Sequence, residues 1–295
     1  MRELNVDVKH LVKRMEAILQ KLAEARIMSR YRRIFKGKGL EFEDFREYNE
    51  DDDASRIDWK ASVRANKTLI KRYKEERDLD IYILFDVSSS MVFGSTEKLK
   101  NEYAAEFVAA LSHIILFTGD KAGLFMFSDS VIKKVLPANN QDQFYVILKN
   151  LLDPNNYGGG CNLGKAVREI INFSKEKGIM IIVSDFIGLE KDWEESIKVA
   201  SAKFDVMGVM IHDPRDEVLP RNIGKVLIKD PFSKHEIMVD PDEIADKYEK
   251  YAIEQKLYVK RIFTRYHADF LDLRTDKDFV VPFLSILKRR EAELA

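Results

Sequence analysis

"LDIYILFDVSSSMVFGS", residues 79–95, begins as an almost unbroken apolar run and then breaks into an aspartate, three serines and a glycine. "IYILF" is apolar at every position, so both faces of the strand it forms need covering, as in the centre of a parallel sheet. In open sheets of that kind, ligands bind beyond the carboxyl ends of the strands, near the point where strand order reverses. Asp86 stands at that end. Asp86, Ser88 and Ser90 alternate, and in an extended loop alternate side chains point the same way. One carboxylate and two hydroxyls can therefore converge, and all three are hard donors suited to Mg2+, Mn2+ or Ca2+ rather than zinc. The plainer alternative is that the aspartate and serines only cap the following helix.

The same texture recurs downstream. Strand-like runs "IYILFDV", "AGLFMFSD", "VIKKVL", "MIIVSDF" and "DVMGVMIHD" alternate with helical patterns over 97–117, 141–152, 162–177 and 192–203. That alternation predicts an α/β fold with a doubly wound, mostly parallel sheet. "AGLFMFSD" and "VIKKVL" meet across Asp129 and Ser130, a link so short that it makes a hairpin and one antiparallel edge strand. "KVLIKD" and "HEIMVD" read as a further hairpin, a helix is expected over 241–266, "DFLDLRT" as a last strand and "DFVVPFLSILKRREAEL" as a last helix.

Upstream, residues 6–28 carry apolar positions at helical spacing and lead into the basic stretch "RYRRIFKGKG". "LEFEDF" and "TLIKRYKEE" alternate as half-buried strands do, and a polar segment separates them. These two, with the hairpin over 225–240, are too polar for the central sheet and are expected to pair in a small β-rich subdomain. The chain thus divides into an N-terminal helical extension (1–36), a β-rich segment (37–78), the sheet core (79–215), and an appended hairpin, helix, last strand and last helix (216–295).

The 295 residues are 45% hydrophobic, enough for one large core. A net charge of −1 gives no global pull toward nucleic acid or a membrane surface. A single cysteine, Cys161, forms no internal disulfide and fits a reducing compartment. No segment approaches the roughly 20 apolar residues of a membrane helix, so a cytoplasmic protein without a membrane span is expected.

Two later loops can complete a site with Asp86. "MIIVSDF" ends a second buried strand with Ser184 and Asp185, and "NYGGGCNLGKAV" places three glycines before a helix start. Other constellations are weaker. "EDDDASRID" lacks the glycine and terminal glutamate of a calcium loop, and Arg46 and Arg64 can pair with its acids. "RYRRIFKGK" is a short basic helix end, and "GKG" is not a phosphate loop. The histidines lack zinc spacing. Ser88 or Ser90 with Asp185 and His212 would make a serine hydrolase, but no G-x-S-x-G elbow is present. A helix start near Cys161 would lower its pKa, yet without a partner cysteine a packed small residue is the simpler reading.

"DVSSSM" resembles the D-x-S-x-S motif of von Willebrand factor A domains, whose fold carries a metal-ion-dependent adhesion site. The resemblance implies that Asp86, Ser88 and Ser90 form the first motif and Asp185 the third-loop aspartate. The second loop normally supplies a threonine in a G-G-T-D-L-like setting; here "GGGCNLG" puts Cys161 at that place and Asn162 where aspartate is common. Upstream, "GLEFEDFREYNEDDDASRIDWKASVRANKTLIKRYKEE" resembles the signature of the prokaryotic family called domain of unknown function 58. Arg46, Tyr48, Asp58, Trp59 and Arg64 match it, and Asn49-Glu50 replaces a more usual Pro-Gly.

That family resemblance implies an adaptor or co-chaperone of a MoxR-type AAA+ ATPase, without enzymatic turnover. The expected ion is Mg2+, or Mn2+ or Ca2+, on Asp86, Ser88, Ser90 and Asp185, with Cys161 a soft and poor ligand beside them. One direct carboxylate and neutral hydroxyls leave such an ion electrophilic, so the expected partner offers an acidic side chain. The alternatives are a metal-dependent or serine hydrolase using Asp86, Ser88, Asp185 and His212, and a metal-free scaffold with a vestigial site.

Overall fold

The computed structural model describes residues 42–49, 52, 54, 57–73, 78–174, 177–233 and 235–293. The helix expected over 6–28 lies outside them. Three sheets are present among the described residues: one of six strands and two of two strands.

The six-stranded sheet is built on β3 (Asp80–Asp86), buried at every position from Ile81 onward. β3 pairs in parallel with β4 (Lys121–Phe127) on one side and β6 (Ile179–Ser184) on the other. β5 (Val131–Ala138) returns antiparallel to β4 and forms one edge. Beyond β6 lie β7 (Asp205–His212) and β10 (Asp269–Arg274), both parallel. The order is β10-β7-β6-β3-β4-β5, a doubly wound, mostly parallel sheet with one antiparallel edge strand. The short β4–β5 link gives the antiparallel edge read from the sequence. Strand order reverses between β3 and β6, because the chain first adds β4 and β5 to one side of β3 and then β6, β7 and β10 to the other.

Residues of β3 alternate between two cores. Ile81, Ile83 and Phe85 face α2 (Lys100–Phe117), α3 (Gln143–Leu152) and α8 (Val280–Glu293). Tyr82 and Leu84 face α4 (Leu163–Phe173), α5 (Trp193–Lys203) and α7 (Pro241–Arg265). Covering both faces is what allows the strands to be apolar throughout. Gly208 in β7 is required by packing, since a Cβ there would collide with the ring of Phe263 from α7.

β10 and α8 therefore contribute to the sheet and its core, and residue 216 marks no break in the sheet. Arg290 of α8 binds both Asp205 oxygens, at 2.8 and 2.9 Å, and also Asp269, tying the starts of β7 and β10 to the last helix.

The small sheets correct one expectation. β1 (Phe42–Glu47) pairs antiparallel with β2 (Leu69–Tyr73), and Ile57 bridges to Ile70. Among the described residues, β8 (Val226–Lys229) and β9 (Glu236–Val239) pair only with each other. The two hairpins each satisfy their own ladder, so they form two separate units and not one subdomain. The polar segment between β1 and β2 also contains α1 (Trp59–Ala65), which sequence reading missed. Asp58 caps it by accepting from Ala61 N–H at 3.0 Å, and Asn66 closes it in the left-handed conformation. Arg46 binds Asp52 through both carboxylate oxygens, at 2.7 and 2.5 Å, the pairing expected of that acidic run.

Candidate functional site

The site lies at the carboxyl ends of β3 and β6, the two strands that flank the order reversal. Asp86 is the last residue of β3 and is fully buried. Val87 N–H donates to Phe127 O at 2.9 Å, which holds the chain against β4 for one more residue. The chain then turns through Ser88 into a single turn of 3-10 helix, Ser89–Met91. Ser88 and Ser90 are both buried, and their hydroxyl oxygens lie 3.1 Å apart. The two hydroxyls come together through a 3-10 turn and not through the extended loop that their alternation predicts.

Asp86 is held at several points. Its Oδ1 accepts from Ser88 N–H at 2.9 Å. Its Oδ2 accepts from the Ser184 hydroxyl at 2.6 Å and the Cys161 thiol at 3.5 Å. Burial, and then the negative charge of Asp185, push its carboxyl up to about 6, against the opposing hydrogen bonds from Ser184 and Ser88.

The glycine loop packs onto the serine loop. Gly158 N–H donates to Val87 O at 2.7 Å, Ser89 N–H to Gly159 O at 3.0 Å, and Gly159 N–H to Ser89 Oγ at 3.0 Å. Gly159 has φ +92°, a conformation in which glycine is favoured. Gly160 lies against the β4–β5 turn, donating to Asp129 Oδ2 at 2.9 Å. The loop delivers Cys161 to Asp86, and Asn162 caps α4 by accepting from Lys165 N–H at 2.9 Å. Burial, and then the charges of Asp86 and Asp185, raise the Cys161 thiol far above its ordinary range. The pKa lowering expected from a helix start is reversed, and Cys161 is a neutral S–H donor.

The third loop brings Asp185, fully buried, whose Oδ1 accepts from Ile187 N–H at 3.0 Å. Its Oδ2 accepts from the ammonium of Lys100 at 2.8 Å. Lys100 Nζ also lies 3.0 Å from Oδ2 of Asp216, in the short helix α6 (Pro214–Glu217) that follows β7. Burial alone would lower the Lys100 pKa, but the charges and hydrogen bonds of Asp185 and Asp216 outweigh it and raise it. Sequence reading missed both Lys100 and Asp216. The available signal was a lysine at the first position of a helix whose residues 103–111 are apolar except for Glu106.

His212 ends β7 and is not joined to the serines. Its Nε2 lies 3.1 Å from Glu217 Oε1 and its Nδ1 3.0 Å from Asp272 Oδ1. No Ser–His pair is assembled by these contacts. The serine loop is instead clamped at its far end, where Ser95 N–H donates to Asp213 Oδ2 at 2.7 Å.

Among the described residues, no group of three or more His, Cys, Asp and Glu side chains is placed to share a metal ion. A cation here would depend on hydroxyls. Asp86 with Ser88 and Ser90 offers such a set of hard oxygens beside a carboxylate whose raised pKa marks an uncompensated negative charge. The ammonium of Lys100 compensates Asp185 and Asp216 instead. These residues fit a hard divalent ion at Asp86, Ser88 and Ser90; Asp185 already has a cation at one oxygen, and Cys161 adds only a neutral thiol.

The sequence profile described as "Protein of unknown function DUF58" matches residues 44–258. The chain belongs to the DUF58 family. A curated relative, "Uncharacterized protein Rv1480" of Mycobacterium tuberculosis (strain ATCC 25618 / H37Rv), is 25% identical over 267 residues, 89% of this chain and 83% of the relative. Among solved structures, this DUF58 chain is similar to the conserved hypothetical protein BatB from Bacteroides thetaiotaomicron. There the identity is 15% and the TM-score 0.46, over 72% of this chain and 98% of that one. The SpRpn10 VWA domain matches 45% of this chain and 75% of its own, at 12% identity and a TM-score of 0.33. No described helix of this DUF58 chain is long and apolar enough to cross a membrane.

Proposed function

We propose that this DUF58 protein is a protein-interaction module that holds a divalent cation at Asp86, Ser88 and Ser90, with Asp185 at the margin, and uses it to take an acidic side chain of a partner. The partner implied by the family resemblance is a MoxR-type AAA+ ATPase. The observation that carries the reading is that two buried hydroxyls, Ser88 and Ser90, lie 3.1 Å from each other in the loop that leaves the buried Asp86 carboxylate, where strand order reverses. When bound, such an ion would present positive charge that one direct carboxylate does not exhaust. Asp86 would supply the anionic anchor, Ser88 and Ser90 neutral donors, and Ser184 would keep Asp86 oriented through its 2.6 Å hydrogen bond. Val92 and Phe93, exposed just after the serines, offer an apolar rim next to the charged centre, the combination from which interface anchors are made.

The test is binding of the purified protein to a purified MoxR-type ATPase from the same cell, in Mg2+ and in chelator, with wild type and Asp86→Ala. Binding that needs both Mg2+ and Asp86 supports the reading. Binding indifferent to both would sink the metal-dependent part. Turnover of an ester or phosphoester lost in Ser88→Ala would replace the adaptor by an enzyme.

A further inference from the structure

The residue that neither motif accounts for is Lys100. It is the first residue of α2, where the positive end of the helix dipole disfavours an ammonium. Its side chain is 1% exposed, so it does not escape to solvent. Burying an unpaired ammonium is costly, and two carboxylates from different elements meet it: Asp185 after β6 and Asp216 in α6. The serine loop closes the remaining side. Phe93 O accepts from Lys100 N–H at 2.7 Å, and the Phe93 ring centroid lies 5.6 Å from Nζ.

We propose that Lys100 is a tethered counter-cation that sets how tightly the cleft holds a divalent ion, by occupying Asp185 in competition with that ion. The inference rests on the reading of the cleft as a cation site and names the residue that regulates it. Both Asp185 oxygens are engaged, Oδ1 by Ile187 N–H and Oδ2 by the ammonium. An ion on Asp86, Ser88 and Ser90 must share Asp185 with a fixed positive charge or displace it, and in either case that charge opposes the ion in a water-poor setting. Asp216 gives the ammonium a second seat at 3.0 Å, so Lys100 can yield Asp185 without losing every counter-charge. Lys100 is thus a positioning residue that acts through Asp185.

The experiment is calorimetric titration of Mg2+ and of Mn2+ into the full chain, as wild type, Lys100→Met, Lys100→Arg and Asp86→Ala. Lys100→Met keeps the apolar stem and removes the charge, and is expected to bind about tenfold more tightly or better. Lys100→Arg keeps the charge and is expected to match wild type, and Asp86→Ala to bind neither ion. A purely structural lysine would change stability and leave affinity alone. If wild type binds and folded Lys100→Met binds no more tightly, the inference is overturned while the cation-site reading stands. If no variant binds either ion, both fall. Should Lys100→Met fail to fold, Lys100→Gln, which retains a hydrogen-bond donor, carries the same comparison.

Discussion

Asp86→Asn is expected to stabilise the metal-free protein at neutral pH and to do little at pH 4. The folded-state carboxyl lies at about 6 against an ordinary value of 3.8. Because the folded value is raised, the folded state binds the proton more tightly than the unfolded chain between those two pH values. Stability therefore falls as pH rises from about 4 to about 6, and stays lowered above that. The rise corresponds to roughly 3 kcal/mol. Asparagine removes the charge and keeps the shape. It also places an amide N–H2 opposite the Ser184 hydroxyl or the Ser88 N–H, which forfeits one of the donors that now serve Asp86, at about 1 kcal/mol. The net expectation is a gain of roughly 2 kcal/mol at pH 7. The assay is urea denaturation in chelator across pH 4–8 for both proteins, repeated with Mg2+. Wild type should lose stability between pH 4 and pH 6 and the variant should not; Mg2+ should restore wild type at pH 7 and leave the variant unchanged. A variant less stable than wild type at pH 7, with the same pH profile, would refute the claim that Asp86 carries an uncompensated charge.

Three further outcomes are expected. Cys161→Thr should tighten Mg2+ binding, because a hydroxyl would replace a thiol whose sulfur lies 3.5 Å from Asp86 Oδ2; unchanged affinity by calorimetry would mean that this loop does not reach the ion. Gly160→Ala should destabilise by about 1–2 kcal/mol in thermal or urea unfolding, since its Cβ would collide with the Asp129 carboxylate and break the 2.9 Å bond to Gly160 N–H. Arg290→Ala should cost roughly 2–3 kcal/mol, less than a fully buried ion pair because Asp205 is exposed, and it should leave Mg2+ affinity untouched because the arginine sits at the opposite ends of the strands.

Much of this was legible in the sequence because it depends on local rules. The apolar "IYILF" and "MIIVS" runs predict central strands, and the two-residue link predicts the antiparallel edge. The polar residues Asp86, Ser88 and Ser90 mark the strand end, although the two hydroxyls meet through a 3-10 turn and not an extended loop. What was not legible depends on contacts between distant segments. α1 is seven residues long, its apolar residues Trp59, Ala61, Val63 and Ala65 alternate and do not follow a helical period, and it is bounded by two caps. The hairpin over 226–239 completes its ladder within itself, with Leu227 and Met238 exposed and Val226, Ile228 and Val239 half-buried, where the sequence reading expects a shared subdomain. Lys100 could not be placed, because its partners stand 85 and 116 positions further along the chain.

That last failure bears on function. A motif read from one loop reports which groups a cation would meet first, but its affinity is set by every charge in the same low-dielectric volume. Here Asp86, Asp185 and Asp216 gather at the ends of β3, β6 and β7, beside the buried Asp213 that clamps the serine loop, with the Lys100 ammonium between Asp185 and Asp216. The ammonium contacts Asp185 and Asp216, neither of which belongs to the serine motif. The burial cost of Asp86 is therefore left open while that of Asp185 is met. A divalent ion of the kind proposed would relieve a penalty at Asp86 and compete at Asp185 with a cation that the chain itself supplies. On the proposed reading, the serine motif and the lysine would act in opposite directions on a cation in this cleft, and its affinity would be the difference between them.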